Sequence, residues 1–157
     1  MAKYSGSQGI EALRKKIKLK SETLMRETSL SILNFVVDTS PIGAPIYNSK
    51  SGAVYNDVGD YKNSWTLGIG VARPVVRDGD ASGAYAIRDG NLTMRNYKLE
   101  DKIYITNATG HAKNVEFGWE ANTEYGWKPK DGYHVVAQTT PTAIAIANAV
   151  AIKVGKM

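Results

Sequence analysis

The chain contains no cysteine and only two histidines, His111 and His134. Disulfide bridges and thiolate metal sites are therefore excluded, and two histidines alone cannot complete a metal site. No apolar run approaches the roughly 20 residues that cross a bilayer, and the first residues lack the apolar block of a signal peptide. We therefore expect a soluble, cytosolic protein with no cofactor and no membrane partner, stabilised by packing or by association.

Acidic side chains are also scarce in the first 20 residues, where six basic side chains face a single acidic one, Glu11. The basic ones are Lys3, Arg14, Lys15, Lys16, Lys18 and Lys20. The other 137 residues carry 14 basic and 14 acidic side chains, so this segment holds the whole net charge of +5. Such a patch can contact nucleic acid or an acidic protein surface, or can be the solvated face of a helix.

A length of 157 residues, 43% hydrophobic and 22% charged, fits a single domain over 1–157. Residues 1–38 are predicted to form a long amphipathic helix, because apolar side chains recur at helical spacing. These are Ile10, Leu13, Ile17, Leu24, Ile32 and Phe35. Pro41 stops the helix. The apolar second half is expected to lie on a sheet, while the lysine-rich first half projects or meets a neighbour.

Turn formers fill residues 41–59, which we predict to be an extended loop with room for a small hairpin whose turn lies near 49–52. Residues 60–138 are predicted to hold a sheet, a short helix and loops. Trp65 to Val76 alternates, with Trp65 and Leu67 inward and Gly68 and Gly70 on a bare outer face that admits another backbone. Residues 102–107 form a second predicted strand and 133–138 a third.

Residues 84–97 are predicted to form a short helix, although Gly90 within it costs about 1 kcal/mol relative to alanine. Residues 112–118 read as a helical turn and a short extended piece. Residues 139–154 form the predicted C-terminal helix, capped by Thr139 or Thr140, with Ile144, Ala147, Ala151 and Val154 along one stripe. Together these elements predict an α+β fold: an antiparallel sheet packed by a long N-terminal helix and a C-terminal helix, with long loops.

Catalytic chemistry is not expected. Asp57 and Asp60 form a conceivable carboxylate pair, but no nucleophile with its base is identifiable, and aspartates in glycine turns usually bond backbone amides. Glu116 lies between apolar residues, so we expect its carboxylate to meet backbone amides or a base such as Lys62, or else to lie on the solvent face of a strand. The chain is therefore predicted not to be an enzyme.

Four motifs occur in a fixed order along the chain. Asp38-Thr39-Ser40-Pro41 follows the long helix, and Gly59-Asp60-Tyr61-Lys62-Asn63-Ser64-Trp65 opens a strand. Lys102-Ile103-Tyr104-Ile105-Thr106-Asn107 and Val115-Glu116-Phe117-Gly118 come next. This order resembles the tail-completion and neck proteins of tailed bacteriophages, from about residue 7 to 154. The residues that carry the resemblance are Pro41, Gly59, Trp65, Asn107, Glu116 and Gly118.

The resemblance implies a structural virion protein that is assembled in the host cytoplasm. Such subunits form a ring, usually a hexamer, that meets head connector or stopper proteins on one side and tail-tube proteins on the other. This chain departs from the family's pattern in the inserted residues 43–58 and in Asp60.

We expect ring contacts from the two turn-rich stretches, 41–59 and 119–132, and from the basic helix segment. The candidate interface residues are Lys15, Lys16, Lys18, Lys20, Ile46, Tyr47, Tyr55, Trp119, Tyr125 and Trp127. Passing contact with genomic DNA is a further expectation. The alternative is a nucleic-acid-binding module that uses the basic N-terminal helix.

Overall fold

The computed structural model describes residues 6–43, 58–120 and 130–156, and the backbone alone of 46–47 and 54–55. Within these residues the elements follow in the order α1 Gly6–Thr39, β1 Ile46–Tyr47, β2 Val54–Tyr55, α2 Asp60–Asn63, β3 Trp65–Ile69, α3 Ala84–Met94, β4 Ile103–Asn107, α4 Ala112–Phe117, β5 Gly118–Trp119, β6 Lys130–Asp131 and α5 Val135–Gly155. The fold is α+β, as the sequence predicts.

Helix α1 runs for 34 residues and ends at Thr39, two residues before Pro41. In its last turn the hydroxyl of Thr39 donates to the carbonyl of Phe35 at 2.8 Å, and Ser40 Oγ donates to the carbonyl of Val36. These two bonds add side-chain donors to carbonyl groups of the last turns, before Pro41 blocks any continuation of the helix. The helix predicted over residues 1–38 is confirmed from Gly6 onward and extends one residue further, to Thr39, while residues 1–5 lie outside the described residues.

The central sheet consists of β3 and β4, which pair antiparallel from Trp65 opposite Asn107 to Ile69 opposite Ile103. Leu67 is completely buried and lies against α1 and α3. Both predicted strands are confirmed, but β3 ends at Ile69 and the following residues leave the sheet. The predicted extension of this strand to Val76 is therefore wrong.

A hydrophobic core joins α1, the sheet and α3. Its fully or nearly fully buried members are Leu33, Val36, Val37, Trp65, Leu67, Ala86, Met94 and Val135. Gly90 lies where α3 crosses α1, and a Cβ there would come within 2.2 Å of Leu33 Cδ2. The glycine that weakened the prediction of α3 is therefore explained by close packing of the two helices.

The predicted bare outer face of β3 is wrong at Gly68, because the chain itself covers it, whereas Gly70, which follows the end of the strand, is exposed. A Cβ on Gly68 would come within 2.2 Å of the carbonyl oxygen of Val71. The hydroxyl of Thr66 donates to the carbonyl of Arg73, and the amide of Arg77 donates to Ser64 Oγ at 2.9 Å. Residues 71–77 thus fold back over this strand, and Gly68 is needed for their approach.

The C-terminal helix begins at Val135, so the predicted third strand over 133–138 is wrong. The predicted caps Thr139 and Thr140 lie inside the helix, where their hydroxyls donate to the carbonyls of Val135 and Val136 at 2.6 and 3.4 Å. Pro141 also lies inside α5. A Thr-Thr-Pro sequence is typical of a helix start, but α5 begins earlier, at Val135, and its first amides are bonded to a side chain of another element.

Two short hairpins complete the described structure. In the first, Ile46 pairs with Tyr55 and Tyr47 pairs with Val54, which confirms the predicted hairpin, although its turn lies outside the described residues. In the second, Gly118 pairs with Asp131. Gly118 has φ +84°, and a Cβ on it would come within 2.3 Å of the carbonyl oxygen of Lys130. Only glycine fits this position.

Candidate functional site

The first part of α1 extends beyond the rest of the molecule. We call residues 6–19 the arm; every residue in it is exposed except Gly9, which is half-buried. Ile10, Leu13 and Ile17 are 57%, 58% and 57% exposed. Their spacings of three and four place them on one side of the helix. The arm therefore carries an uncovered apolar stripe, as expected for a segment that meets a neighbour.

The predicted interface lysines differ in their environment. Lys15 forms an exposed ion pair with Glu11 at 3.6 Å, whereas Lys16 and Lys18 have no ion pair with any described residue. Lys20 lies beyond the arm, and its Nζ donates to the carbonyl of Gly155 at 3.2 Å. A cation at the C-terminal end of a helix satisfies a free carbonyl group there and is stabilised by the helix dipole. Lys20 therefore attaches the end of α5 to α1.

Helix α5 presents a second apolar surface. Its buried side, with Val135, Thr139, Val150 and Val154, follows helical spacing and packs chiefly along α1. On its opposite side Ile144 and Ile152 are 66% and 63% exposed. No charged side chain occurs between Val135 and Ile152. We call this side the outer face of α5.

The residues of the predicted stripe of α5 differ in burial: Val154 is buried, whereas Ile144 and Ala151 are exposed. Among the described helices, α5 alone has the length and apolar composition of a membrane-spanning segment, a criterion that helices of soluble proteins also meet. The expectation that no apolar run reaches this length does not hold for α5. The signal in the sequence is the long stretch without charged residues. Its threonines and Asn148 break up the apolar run and so conceal its length.

The glycine-turn motif positions α2 and the tryptophan that follows it. Gly59 has φ +87°, its amide donates to the carbonyl of Ile42 at 2.7 Å, and a Cβ there would meet Ala81 N at 2.7 Å. Trp65 is buried, and its indole N–H donates to Ser40 Oγ at 2.7 Å. This bond joins the start of the sheet to the end of α1, directly before Pro41.

Tyr61 packs beside this tryptophan, with the two rings edge to face at 5.7 Å. Burial raises the pKa of Tyr61 well above its usual value, and the negative charge of Glu116 raises it further. The carbonyl of Tyr61 accepts a hydrogen bond of 2.7 Å from the side-chain amide of Asn107. The oxygen of that amide accepts from the amide and hydroxyl of Thr109 at 3.1 and 2.9 Å. Asn107 thus connects α2, β4 and the following turn.

Glu116 caps α5 from another element. Its side chain lies in α4 and only 8% of the residue is exposed. Oε2 accepts from the amide of Val136 at 2.9 Å, and Oε1 accepts from the amide of Ala137 at 3.1 Å. The expected bonding to backbone amides is confirmed, and the alternative of a solvent-facing strand residue is wrong. His134, which precedes α5, provides no side-chain cap, so this carboxylate takes that role.

Two arginines fasten the returning segment to α3. Arg77 Nη2 and Arg73 Nη1 approach Asp89 Oδ2 at 2.9 and 3.3 Å, and Arg73 also donates to Thr93 Oγ1 at 2.8 Å. These contacts explain why residues 71–77 stay on the outer face of β3. The cluster therefore has a structural role in the chain's own fold.

Several predicted interface residues cannot be placed. Tyr125 and Trp127 lie outside the described residues, and so do the side chains of Ile46, Tyr47, Tyr55 and Trp119. In the described part of the chain, no group of three or more histidine, aspartate or glutamate residues is placed to hold a metal ion.

Comparisons of the chain with protein-family models, with curated proteins and with solved structures found no match.

Proposed function

We propose that this chain is a structural subunit of a larger assembly: a tail-completion or neck subunit that forms a ring between the head connector and the tail of a bacteriophage. The observation that carries the proposal is the pair of uncovered apolar helix surfaces, the stripe of the arm and the outer face of α5. Contiguous exposed apolar surface in a folded chain usually marks an interface.

The size of these surfaces argues for more than one contact per subunit. Fully burying an isoleucine or leucine is worth about 1.5–3 kcal/mol, so covering the exposed half of one is worth about 1 kcal/mol. The three side chains of the arm stripe then supply about 3 kcal/mol, below the cost of association, which is at least about 4 kcal/mol. The arm stripe alone is therefore too small, so its contact must also bury apolar side chains of the neighbour, and the outer face of α5 remains for a second contact of the same subunit.

The motif residues act as a scaffold in this proposal. The polar atoms of Trp65, Asn107 and Glu116 are bonded to Ser40, Tyr61, Thr109 and the start of α5, within the same chain. They hold α1, the sheet and α5 in fixed relative positions. A subunit of a ring needs this rigidity, because the relative positions of its two contact surfaces determine where its neighbours lie.

The phage context rests on the order of the four motifs, together with the absence of a recognisable nucleophile and base in the sequence. In that role the protein is a component of the virion, assembled in the host cytoplasm, with connector or stopper proteins and tail-tube proteins as further partners. Residues 41–59 and 119–132 remain proposed contact segments. The exposed surfaces of α1 and α5 extend the proposed interface to residues that sequence patterns did not indicate.

A nucleic-acid-binding module is the second candidate, and one observation favours it. Lys16 and Lys18 are exposed on the arm without an ion pair to any described residue, so both are available to phosphate groups. In that case affinity for DNA falls steeply with salt and disappears when both are replaced by glutamine.

The test is size-exclusion chromatography with light scattering and negative-stain imaging of the full chain, alone and with tail-tube protein. Annular particles, or tubes capped at one end, support the proposal. Leu13→Glu in the arm and Ile144→Glu in α5 are each expected to abolish these particles while far-UV circular dichroism stays unchanged. Val71→Glu is the matched control, since Val71 is exposed but lies on neither helix. A monomer under all conditions contradicts the proposal.

A further inference from the structure

We propose that the arm of one copy docks on the opposite, acidic end of the next copy, so that subunits join head to tail. This inference rests on the proposed function and specifies how the ring is built. It follows from three observations: the charge of the arm, the charge of the far end of α1, and the distance between them.

The acidic end is the region around the C-terminus of α1, with four carboxylates: Asp38, Asp60, Asp78 and Asp80. Close contacts bring these segments together. A Cβ on Gly83 would come within 2.4 Å of Val37 Cγ1, next to Asp38, and the amide of Gly83 donates to the carbonyl of Asp80 at 3.0 Å. A further contact adds Asp78: Asn63 Nδ2 donates to its carbonyl at 3.1 Å.

Asp60 lies in the first turn of α2, and its Oδ1 is 3.0 Å from where a Cβ on Gly79 would be. Two basic residues lie in the same region. Lys62 belongs to α2, and Arg77 already forms an ion pair with Asp89, with Nη2 and Oδ2 at 2.9 Å. Leaving Asp60 aside, the carboxylates of Asp38, Asp78 and Asp80 outnumber Lys62, the one basic residue of this region that is not paired with Asp89 among the described residues, so the acidic end has a negative charge. Asp38 and Asp78 are the exposed pair among them.

The acidic end also exposes apolar side chains. Ile42 follows α1, and its carbonyl accepts from the amide of Gly59, while Val76 precedes Arg77 on the returning segment. Both are exposed, Val76 by more than half. The arm offers apolar side chains flanked by lysines, and the acidic end offers apolar side chains flanked by aspartates. The two surfaces are complementary in both respects.

The arm and the acidic end cannot meet within one copy. Helix α1 has 34 residues, and at 1.5 Å per residue its two ends are about 50 Å apart. A straight helix keeps them apart, so complementary surfaces at opposite ends are satisfied only by another molecule. The helix dipole adds a partial charge of the same sign at each end.

The charge pattern also disfavours contacts between like ends. Two arms that pack on each other bring together two sets of basic side chains, and two acidic ends bring together two sets of carboxylates. Like charges in an interface are unfavourable. Only the contact of arm with acidic end pairs opposite charges, and such a contact, repeated, closes into a ring or continues as a filament.

The test uses two matched charge reversals on the full chain. The first variant carries Lys16→Glu and Lys18→Glu in the arm, and the second carries Asp38→Lys and Asp78→Lys at the acidic end. All four side chains are exposed, so circular dichroism is expected to show an unchanged fold. In analytical ultracentrifugation each variant alone is expected to self-associate at least about tenfold more weakly than the wild type.

An equimolar mixture of the two variants is the decisive sample. The reversed arm of the first then meets the reversed end of the second, and the unmodified arm of the second meets the unmodified end of the first. Association is expected to return to within about threefold of the wild type at about 0.1 M salt and to weaken with added salt. The four-substitution chain is expected to associate alone, by the same pairing.

Failure of the head-to-tail contact can be distinguished from failure of the proposed function. If the wild type forms rings but the mixture does not, the head-to-tail contact is wrong and the assembly role stands. If the wild type stays monomeric and shifts duplex DNA, with the shift lost in the arm variant alone, both proposals are overturned in favour of a nucleic-acid partner.

Discussion

The carboxylate of Glu116 provides the sharpest test of the fold, because it is the only side-chain cap at the described start of α5. Replacing Glu116 by alanine leaves the amides of Val136 and Ala137 without their acceptor. Loss of a helix cap costs about 0.5–2 kcal/mol, and loss of a negative charge at a helix N-terminus costs about 0.3–1 kcal/mol more. We expect the free energy of unfolding to fall by about 2 kcal/mol.

Glu116→Gln separates the charge from the hydrogen bonds. Glutamine keeps one acceptor oxygen, but it turns an amide group toward the second backbone N–H and carries no charge. We expect a loss of about 1 kcal/mol, roughly half that of alanine. Glu120→Ala is the control, since Glu120 is exposed and surface substitutions usually change stability by less than about 0.5 kcal/mol.

The assay is urea unfolding followed by far-UV circular dichroism, supported by hydrogen exchange of the two amides. For a chain of this length, 2 kcal/mol corresponds to a fall in Tm of about 4–8 °C. Faster exchange confined to the first turn of α5 is expected in both Glu116 variants. If Glu116→Ala is as stable as Glu120→Ala, the carboxylate does not hold α5 in place and the reasoning is refuted.

Three further predictions concern other positions. Gly90→Ala is expected to lower the free energy of unfolding by about 1–3 kcal/mol, because its Cβ would overlap a buried leucine of α1. The control is Gly6→Ala, which has open space around it and is expected to be neutral or stabilising. Equal effects of the two substitutions in urea unfolding would contradict the packing of α3 on α1. Because burial raises the pKa of Tyr61 in the folded protein, the free energy of unfolding is expected to fall as pH rises above the ordinary tyrosine pKa of about 10. Tyr61→Phe is expected to reduce this dependence of stability on pH. An unchanged pH dependence argues against the burial of Tyr61. Ser82→Ala is expected to raise the pKa of Asp80, which hydrogen bonds from the hydroxyl and amide of Ser82 hold below its usual value; carboxyl NMR titration measures it, and an unshifted curve refutes the assignment.

Much of the fold could be predicted because its signals are local. The spacing of apolar side chains fixed α1, and alternation identified β3 and β4 with their inward residue Leu67. Gly59 and the tryptophan after it indicated a turn that opens a strand, and the structure confirms both. Each of these features depends on residues within one or two turns of each other.

The rest depends on contacts between distant residues. The start of α5 was misplaced because its cap, Glu116, lies about twenty positions earlier, while a threonine pair before Pro141 imitates a cap. The outer face of β3 was misjudged because Gly68 admits the chain's own returning segment and not a neighbour. The apolar outer face of α5 went unrecognised as a candidate site, since helical periodicity shows that a side is apolar but not what covers it.

The bond between Lys20 and the end of α5 has a consequence for the arm. It marks the point at which the helix leaves its support, and no break in α1 separates the two parts. The direction of the apolar stripe is therefore set by the phase of the helix at Lys20. One residue inserted just before it turns the stripe by about 100° and moves it out of line with the body, whereas seven residues restore the angle and lengthen the arm by about 10 Å. In the proposed ring, the phase of α1 at Lys20 sets the direction in which the arm meets its neighbour.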